Sequence, residues 1–309
     1  MTGVQTCALP ILLFIAVALA AEPKVHKGTI KREEEKITSK VDQTLKSMKF
    51  YHNHFEEEAS EAKHLLTKTK KQISAGETAV TRTIDNILLN KLKEVRTLHE
   101  SAPNDAISKV EVIVKAFEKD LENQKNVQNK KLKTDMAKFV SELDENEKTL
   151  AGLEATEKQQ YDSATSTITK MGASAKESLS AVMNQPEKKG DLREMAIQIT
   201  DGTVKVKQSY RVDEHKLRRQ AKAAKRNVRD IKENAKKEFD TYKETMKATI
   251  SNLFTETKAK IKNVISLALE KSQENKLQKE LNSQQVQAEN QQQKAPAQQE
   301  ITQPNNNKK

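Results

Sequence analysis

Residues 215–235 read HKLRRQAKAAKRNVRDIKENA, and the spacing within this stretch indicates the fold of the chain. Apolar or small residues recur in steps of three and four, which places them along one side of an α-helix. These residues are Leu217, Ala221, Ala224, Val228, Ile231 and Ala235. A cationic stripe with the same spacing runs beside them and comprises Arg218, Lys222, Lys225, Arg229, Lys232 and Lys236. The pattern predicts a helix that buries one side and whose flank meets an anionic group or water.

The composition extends this helical interpretation to the whole chain of 309 residues. Charged residues make up 32% and hydrophobic residues 35%, with seven glycines, six prolines and no tryptophan. Average domains contain about 45–50% apolar residues, so this chain is too poor in them for a large compact core. Long helices that share a thin core satisfy this composition.

Two short interruptions divide the periodic pattern into three helices. The first contains Pro103, and the second contains Pro186 and Gly190. The predicted helices span about 30–100, about 105–184 and about 191–282. Thr29 is expected to cap the first, which then opens with three glutamates at 33–35. Asp191 and Glu194 form a capping box at the start of the third.

The connections between these helices are short, which predicts that consecutive helices run antiparallel. We therefore predict an all-α fold over residues 22–282: an elongated antiparallel three-helix bundle or coiled coil of very long helices. Gly172 and Gly202 lie about equally far from the second interruption. The hairpin should therefore bring these two glycines close together.

The two ends of the chain have compositions of their own. Residues 11–20, ILLFIAVALA, are too few to span a bilayer, and Ala18 and Ala20 match a signal-peptidase site. We therefore expect residues 1–21 to be a signal peptide, although its first ten residues resemble translated sequencing-adapter read-through. The mature chain is then expected to be extracellular, or periplasmic in a bacterium, with no transmembrane span. The Gln- and Asn-rich residues 283–309 predict a disordered tail.

The sequence carries no motif for catalysis or cofactor binding. It lacks a Gly-rich phosphate loop, a Gly-x-Ser-x-Gly elbow, a His-Glu-x-x-His motif and a cysteine pair, so we predict neither an enzyme nor a cofactor. His52 and His54 point about 200° apart on a helix, which predicts that they and His64 are exposed histidines rather than metal ligands. The aromatic residues at core spacing are predicted to be core anchors: Tyr51, Phe55, Tyr161, Tyr210, Phe239, Tyr242 and Phe254.

The charge distribution gives the strongest functional candidate. The chain carries a net charge of +11, and residues 205–237 hold 13 Lys or Arg against four Asp or Glu. Clustered cationic charge suits sulfated glycans or anionic lipid headgroups. A specific nucleic-acid partner is not expected, because no recognised DNA-binding motif is present. The candidate polyanion-binding residues are Lys216, Arg218, Arg219, Lys222, Lys225, Arg226, Arg229, Lys232 and Lys236.

These observations favour a secreted, non-enzymatic structural or protein-interaction protein, whose partners are other proteins or a second copy of itself along the helical seams. One alternative is a lipid-surface protein that behaves like the exchangeable apolipoproteins, whose helices open onto lipid. The other is a polyanion binder that uses the basic stripe of the third helix. The narrow seam, diluted by Ala and Thr, favours the structural interpretation over the lipid one.

Overall fold

The computed structural model describes residues 27–184 and 192–294, and every element in this part of the chain is an α-helix except for the turn at 101–103. Helix α1 spans Lys27–Glu100, α2 spans Asn104–Asn184 and α3 spans Leu192–Lys294. The helices pack against one another through buried apolar side chains. The prediction of an all-α helical bundle is confirmed.

The helix ends follow the expected interruptions, with one correction. Helix α1 begins at Lys27, so Thr29 and the glutamates at 33–35 lie inside the helix rather than at its cap. In the turn before α2, the Pro103 carbonyl accepts bonds from the backbone N–H of Ala106 at 2.8 Å and of Ile107 at 3.1 Å. Proline fits here because it needs no N–H of its own at a helix start. Asp191, half of the predicted capping box, lies outside the described residues.

The three helices contribute to two compact units. Unit 1 comprises Met1–Lys71 and Val140–Lys232, and unit 2 comprises Gln72–Phe139 and Glu233–Lys309. The predicted apolar stripe of α3 is buried throughout its length, from Leu217 to Ala235. Its predicted inward side is therefore confirmed.

Contacts within unit 1 give the directions of its helices. Ion pairs join α1 to α2 with partner numbers that fall along α2 as they rise along α1: Lys63 with Glu154, then Lys70 with Glu147 at 2.7 Å. These two helices are therefore antiparallel. Helices α1 and α3 are parallel, because Glu58 and Glu61 of α1 meet Lys222 and Lys225 of α3 in the same order.

The predicted neighbourhood of the two glycines is found, with a different partner for each. A Cβ added at Gly202 would collide with Met171, the residue beside Gly172. Gly172 itself packs against Val41 of α1. Each glycine thus makes room for a side chain on a neighbouring helix, and the two do not face each other.

In unit 2, α3 continues beyond its expected end. The prediction of a disordered tail from residue 283 is wrong for 283–294, which are helical. The reason is the composition: Gln, Ala, Glu and Lys are good helix formers, and neither Pro nor Gly occurs between residue 283 and Pro296. Residues 273–289 are all exposed, and so is Leu269, which was expected to continue the buried seam. Residues 295–309 lie outside the described part.

No described helix is apolar over a stretch long enough to cross a membrane. The expected signal peptide, 1–21, lies outside the described residues.

Candidate polyanion-binding face of helix α3

The nine basic residues singled out from the sequence fall into the two units. Eight of them, from Lys216 to Lys232, belong to unit 1, and Lys236 belongs to unit 2. All are exposed except Arg218 and Lys225, which are half-buried. The structure therefore assigns different surroundings to members of one apparent stripe.

Two of the lysines are used within unit 1 to join α3 to α1. Lys225 Nζ lies 3.2 Å from Glu58 Oε1 and also pairs with Glu61, while Lys222 Nζ lies 3.7 Å from Glu58 Oε2. The hydrogen bond from Lys225 lowers the pKa of Glu61, and the same bond raises the pKa of Lys225. The anionic group expected beside the stripe is thus supplied, for these two residues, by α1.

Arg218 is held by two neighbours on its own helix. Its Nε lies 3.3 Å from Glu214 Oε1, and its Nη2 donates to His215 Nδ1 at 3.3 Å. Lys216 has a weaker neighbour, Asp213, with 3.4 Å between Nζ and Oδ1. These contacts occupy the first two of the nine candidate cations, Lys216 and Arg218.

Four candidates in unit 1 remain without an ion-pair partner among the described residues: Arg219, Arg226, Arg229 and Lys232. Steps of seven and three residues keep the three arginines on one side of the helix, where they span about 15 Å. All four are exposed. They form a row of guanidinium and ammonium groups that faces solvent.

Helix α1 extends this row. Lys68 and Lys232 each lie seven residues beyond the Glu61–Lys225 pair. Because α1 and α3 run parallel in unit 1, we infer from this register that Lys68 lies near Lys232, one heptad after the Glu61–Lys225 pair. Lys68 is also exposed. We call Arg219, Arg226, Arg229, Lys232 and Lys68 the cationic face.

The interior of unit 1 contains a polar layer, formed by Glu157, Tyr210, His52 and Tyr161, that was not predicted from the sequence. Glu157 of α2 is 1% exposed; it accepts a hydrogen bond from the Tyr210 hydroxyl of α3, and its Oε2 lies 2.8 Å from His52 Nδ1 of α1. The His52 ring stacks on Tyr161 at 4.2 Å between centroids. Burial, followed by the bond to Glu157, raises the pKa of Tyr210, so its hydroxyl remains a donor at neutral pH.

This layer corrects the interpretation of the histidines. His52 is not an exposed residue, because its side chain is 17% exposed and contacts both Glu157 and, through Nε2 at 3.3 Å, Glu56. His54 and His64 are exposed, as predicted. Among the described residues no set of three His, Cys, Asp or Glu side chains is arranged to hold a metal ion.

The predicted aromatic anchors lie in or beside the core. Phe55, Tyr210, Tyr242 and Phe254 are buried, whereas Tyr51, Tyr161 and Phe239 are half-buried. The two buried tyrosines also use their hydroxyls: Tyr210 donates to Glu157, and Tyr242 donates to Asn129 Oδ1 within unit 2.

A sequence signal for the missed residues existed. Glu157 follows Leu153 by four residues and precedes Tyr161 by four, and Glu214 lies between Tyr210 and Leu217. Both carboxylates therefore occupy seam positions. Such a position predicts burial, which for a charged group requires a partner.

Comparison with known proteins adds no family to this description. No protein-family model matches the chain, and a search of the curated proteins finds no match.

Proposed function

We propose that this protein is a non-enzymatic helical interaction protein whose cationic face binds a polyanion, of which a sulfated glycan outside the cell is the chemical type we favour. The observation that carries the proposal is the row of Arg219, Arg226 and Arg229, exposed and without ion-pair partners among the described residues. The expected secretion and the antiparallel arrangement of very long helices belong to the same proposal.

Arginine suits this role for a chemical reason. Its guanidinium presents paired N–H donors in a plane, which match two oxygens of a sulfate, phosphate or carboxylate. A row of such groups also gains affinity from the counterions that a charged polymer releases on binding. A linear polyanion can contact all three arginines at once, whereas a single small anion cannot.

The described apolar residues support this proposal over the lipid alternative. The seam residues of α3 from Leu217 to Ala235 are buried against the other helices. Spreading on lipid would require the helices to separate and expose that seam. The arginine row is accessible without any such change.

The first experiment measures heparin binding to the full chain by titration calorimetry at low and high salt. We expect R219Q/R226Q/R229Q to weaken binding by about 30-fold or more, and the salt dependence of the affinity to fall, because three cations leave the contact. The matched control is K130Q/K131Q/K133Q, which removes the same charge from exposed lysines of unit 2. Equal losses in both variants would show that net charge alone attracts heparin, which contradicts a defined face.

Flotation with vesicles distinguishes the lipid alternative. Binding to neutral vesicles that survives high salt would favour apolipoprotein-like behaviour over our proposal. Binding confined to anionic vesicles, and lost in the triple arginine variant, would keep the same cationic face but assign it a membrane headgroup as its partner.

A further inference from the structure

Arg218 connects the cationic face to the buried interior of unit 1. Its guanidinium lies between the Glu214 carboxylate and the His215 ring, with 3.3 Å to Glu214 Oε1 and 3.3 Å to His215 Nδ1. Arg219, the first residue of the cationic face, follows it directly. Both neighbours of Arg218 can gain a proton, and each contact depends on the deprotonated form of its acceptor.

Glu214 is an unusual partner for a surface arginine because it is itself buried, with 2% of its surface exposed. Its Oε1 receives no hydrogen bond of suitable geometry from any described group. The carboxylate also faces like charge, since Glu157 of α2 lies nearby. A carboxylate that is buried, short of donors and next to another carboxylate favours its neutral form.

His215 differs from Glu214 in being exposed. In the arrangement with Arg218, its Nδ1 must be the unprotonated nitrogen, because a guanidinium can only donate. A protonated ring would lose this bond and would place a second positive charge beside Arg218.

We propose that Glu214 and His215 form an acid-sensitive control on the cationic face: at neutral pH they hold Arg218, and on mild acidification they take up protons, release Arg218 and add positive charge, so that the polyanion binds more tightly. This inference rests on the proposed function. Each of the two residues gains one proton, so this end of the face gains two units of positive charge.

The surrounding groups determine the direction of each titration. For Glu214 they are His54 of α1, Glu157 of α2, and Tyr210, Arg211 and Arg218 of α3. Burial is the largest influence and raises the pKa of Glu214, although Arg218 opposes it. Desolvation, followed by the charges of Arg219, Arg218, Arg211 and Lys222, lowers the pKa of His215. The pKa of Glu214 and the pKa of His215 are therefore shifted toward each other.

The test compares heparin affinity at about pH 7.5 with affinity at about pH 5, at fixed ionic strength, a range in which histidine and raised carboxyl groups titrate. We expect the native chain to bind about tenfold more tightly in acid, because two charges join the face. E214Q/H215Q cannot titrate at either position and removes the ion pair that holds Arg218. It should bind about threefold more tightly than the native chain at the higher pH and change by only about twofold on acidification.

The control H64Q removes one exposed histidine of unit 1 outside this pair and should retain most of the native response. Circular dichroism at each pH checks that every variant is folded. An acid response in E214Q/H215Q equal to that of the native chain would overturn the inference while leaving polyanion binding intact.

A second measurement does not require a ligand. The side-chain Nε–Hε signal of Arg218 should shift on acidification in the native chain and be constant in E214Q/H215Q. If it shifts but heparin binds at neither pH, the release of Arg218 stands and the proposed function is wrong. If the Arg218 signal does not shift, the proposed acid-sensitive role of Glu214 and His215 is wrong, whether or not heparin binds.

Discussion

Units 1 and 2 draw on the same three helices but fill their cores differently. In unit 1 two carboxylates, Glu157 and Glu214, are buried, and one of them is bonded to side chains of both other helices. Among the described residues of unit 2 the buried polar side chain is Thr257, and Tyr242 donates to the half-buried Asn129. Unit 2 shows close apolar fitting, with Phe239 packed against Gly76, and unit 1 adds contacts of the same kind at Gly172 and Gly202 to its buried carboxylates.

This difference separates two ways of specifying a helical core. A buried charge is costly unless its partners are in place, so the layer in unit 1 favours one alignment of three helices over others. A glycine facing an aromatic ring specifies alignment by shape alone. Unit 1 should therefore respond to changes in charge and pH as well as in volume, and unit 2 mainly to changes in volume.

The largest expected effect is the loss of the central acceptor in unit 1. E157A leaves the Tyr210 hydroxyl and the His52 ring without their buried partner, which should lower the free energy of unfolding by about 3 kcal/mol. E157Q retains a carbonyl that can accept from Tyr210, so its loss should be about half as large. Hydrogen exchange read by mass spectrometry measures the loss of stability in both variants.

Hydrogen exchange also locates the effect, because unit 1 and unit 2 yield different peptides. Faster exchange at 140–180 and 200–230 with little change at 105–135 is the expected result. Unchanged protection around Glu157 in E157A would contradict the role given to the polar layer.

A smaller change in the free energy of unfolding, caused by side-chain volume rather than charge, is expected when Gly76 or Gly152 is replaced by alanine. A Cβ at Gly76 would lie 2.5 Å from Phe239 Cε2, so G76A forces the ring to move, whereas nothing lies within 4 Å of a Cβ at Gly152 in unit 1. Helix propensity alone favours alanine at both positions by about 1 kcal/mol. We expect G152A to stabilise by about that amount and G76A to destabilise by about 1 kcal/mol, because overpacking outweighs propensity.

Chemical denaturation of the two alanine variants measures the difference. If G76A stabilised the protein as much as G152A, the Phe239 ring would be able to move aside without cost. Side-chain shape would then not determine the helix alignment in unit 2.

The helices and their buried stripes could be predicted because their signal is local. Steps of three and four residues identify the inward positions of α3 without knowledge of any partner, and the break at Pro103 places the turn before α2 to within one residue. The Gln-rich composition of residues 283–294 predicts disorder, but the helix propensity of the same residues extends α3 to Lys294.

The partners of the charged residues could not be predicted in this way. Lys225 and Arg219 are both basic residues on one helix, yet one pairs with Glu58 and Glu61 while the other faces solvent. That outcome depends on the offset between α1 and α3 within unit 1. Periodicity within a single helix contains no information about this offset.

The smallest of these effects concerns Glu214 and the pH dependence of stability. Burial raises the pKa of Glu214, so folded unit 1 holds this proton more tightly than the unfolded chain does. The corresponding stabilisation is present at low pH and is lost as pH rises through the folded-state pKa.

E214Q removes the buried charge and should raise the free energy of unfolding at neutral pH by about 1 kcal/mol, with little gain in acid. Thermal unfolding of E214Q and of the native chain, from neutral pH into acid, measures whether their stabilities converge as the pH falls. A constant difference between the two curves would mean that Glu214 has the same pKa in the folded and unfolded chains, and therefore that its charge in the core of unit 1 is stabilised more fully than its burial implies.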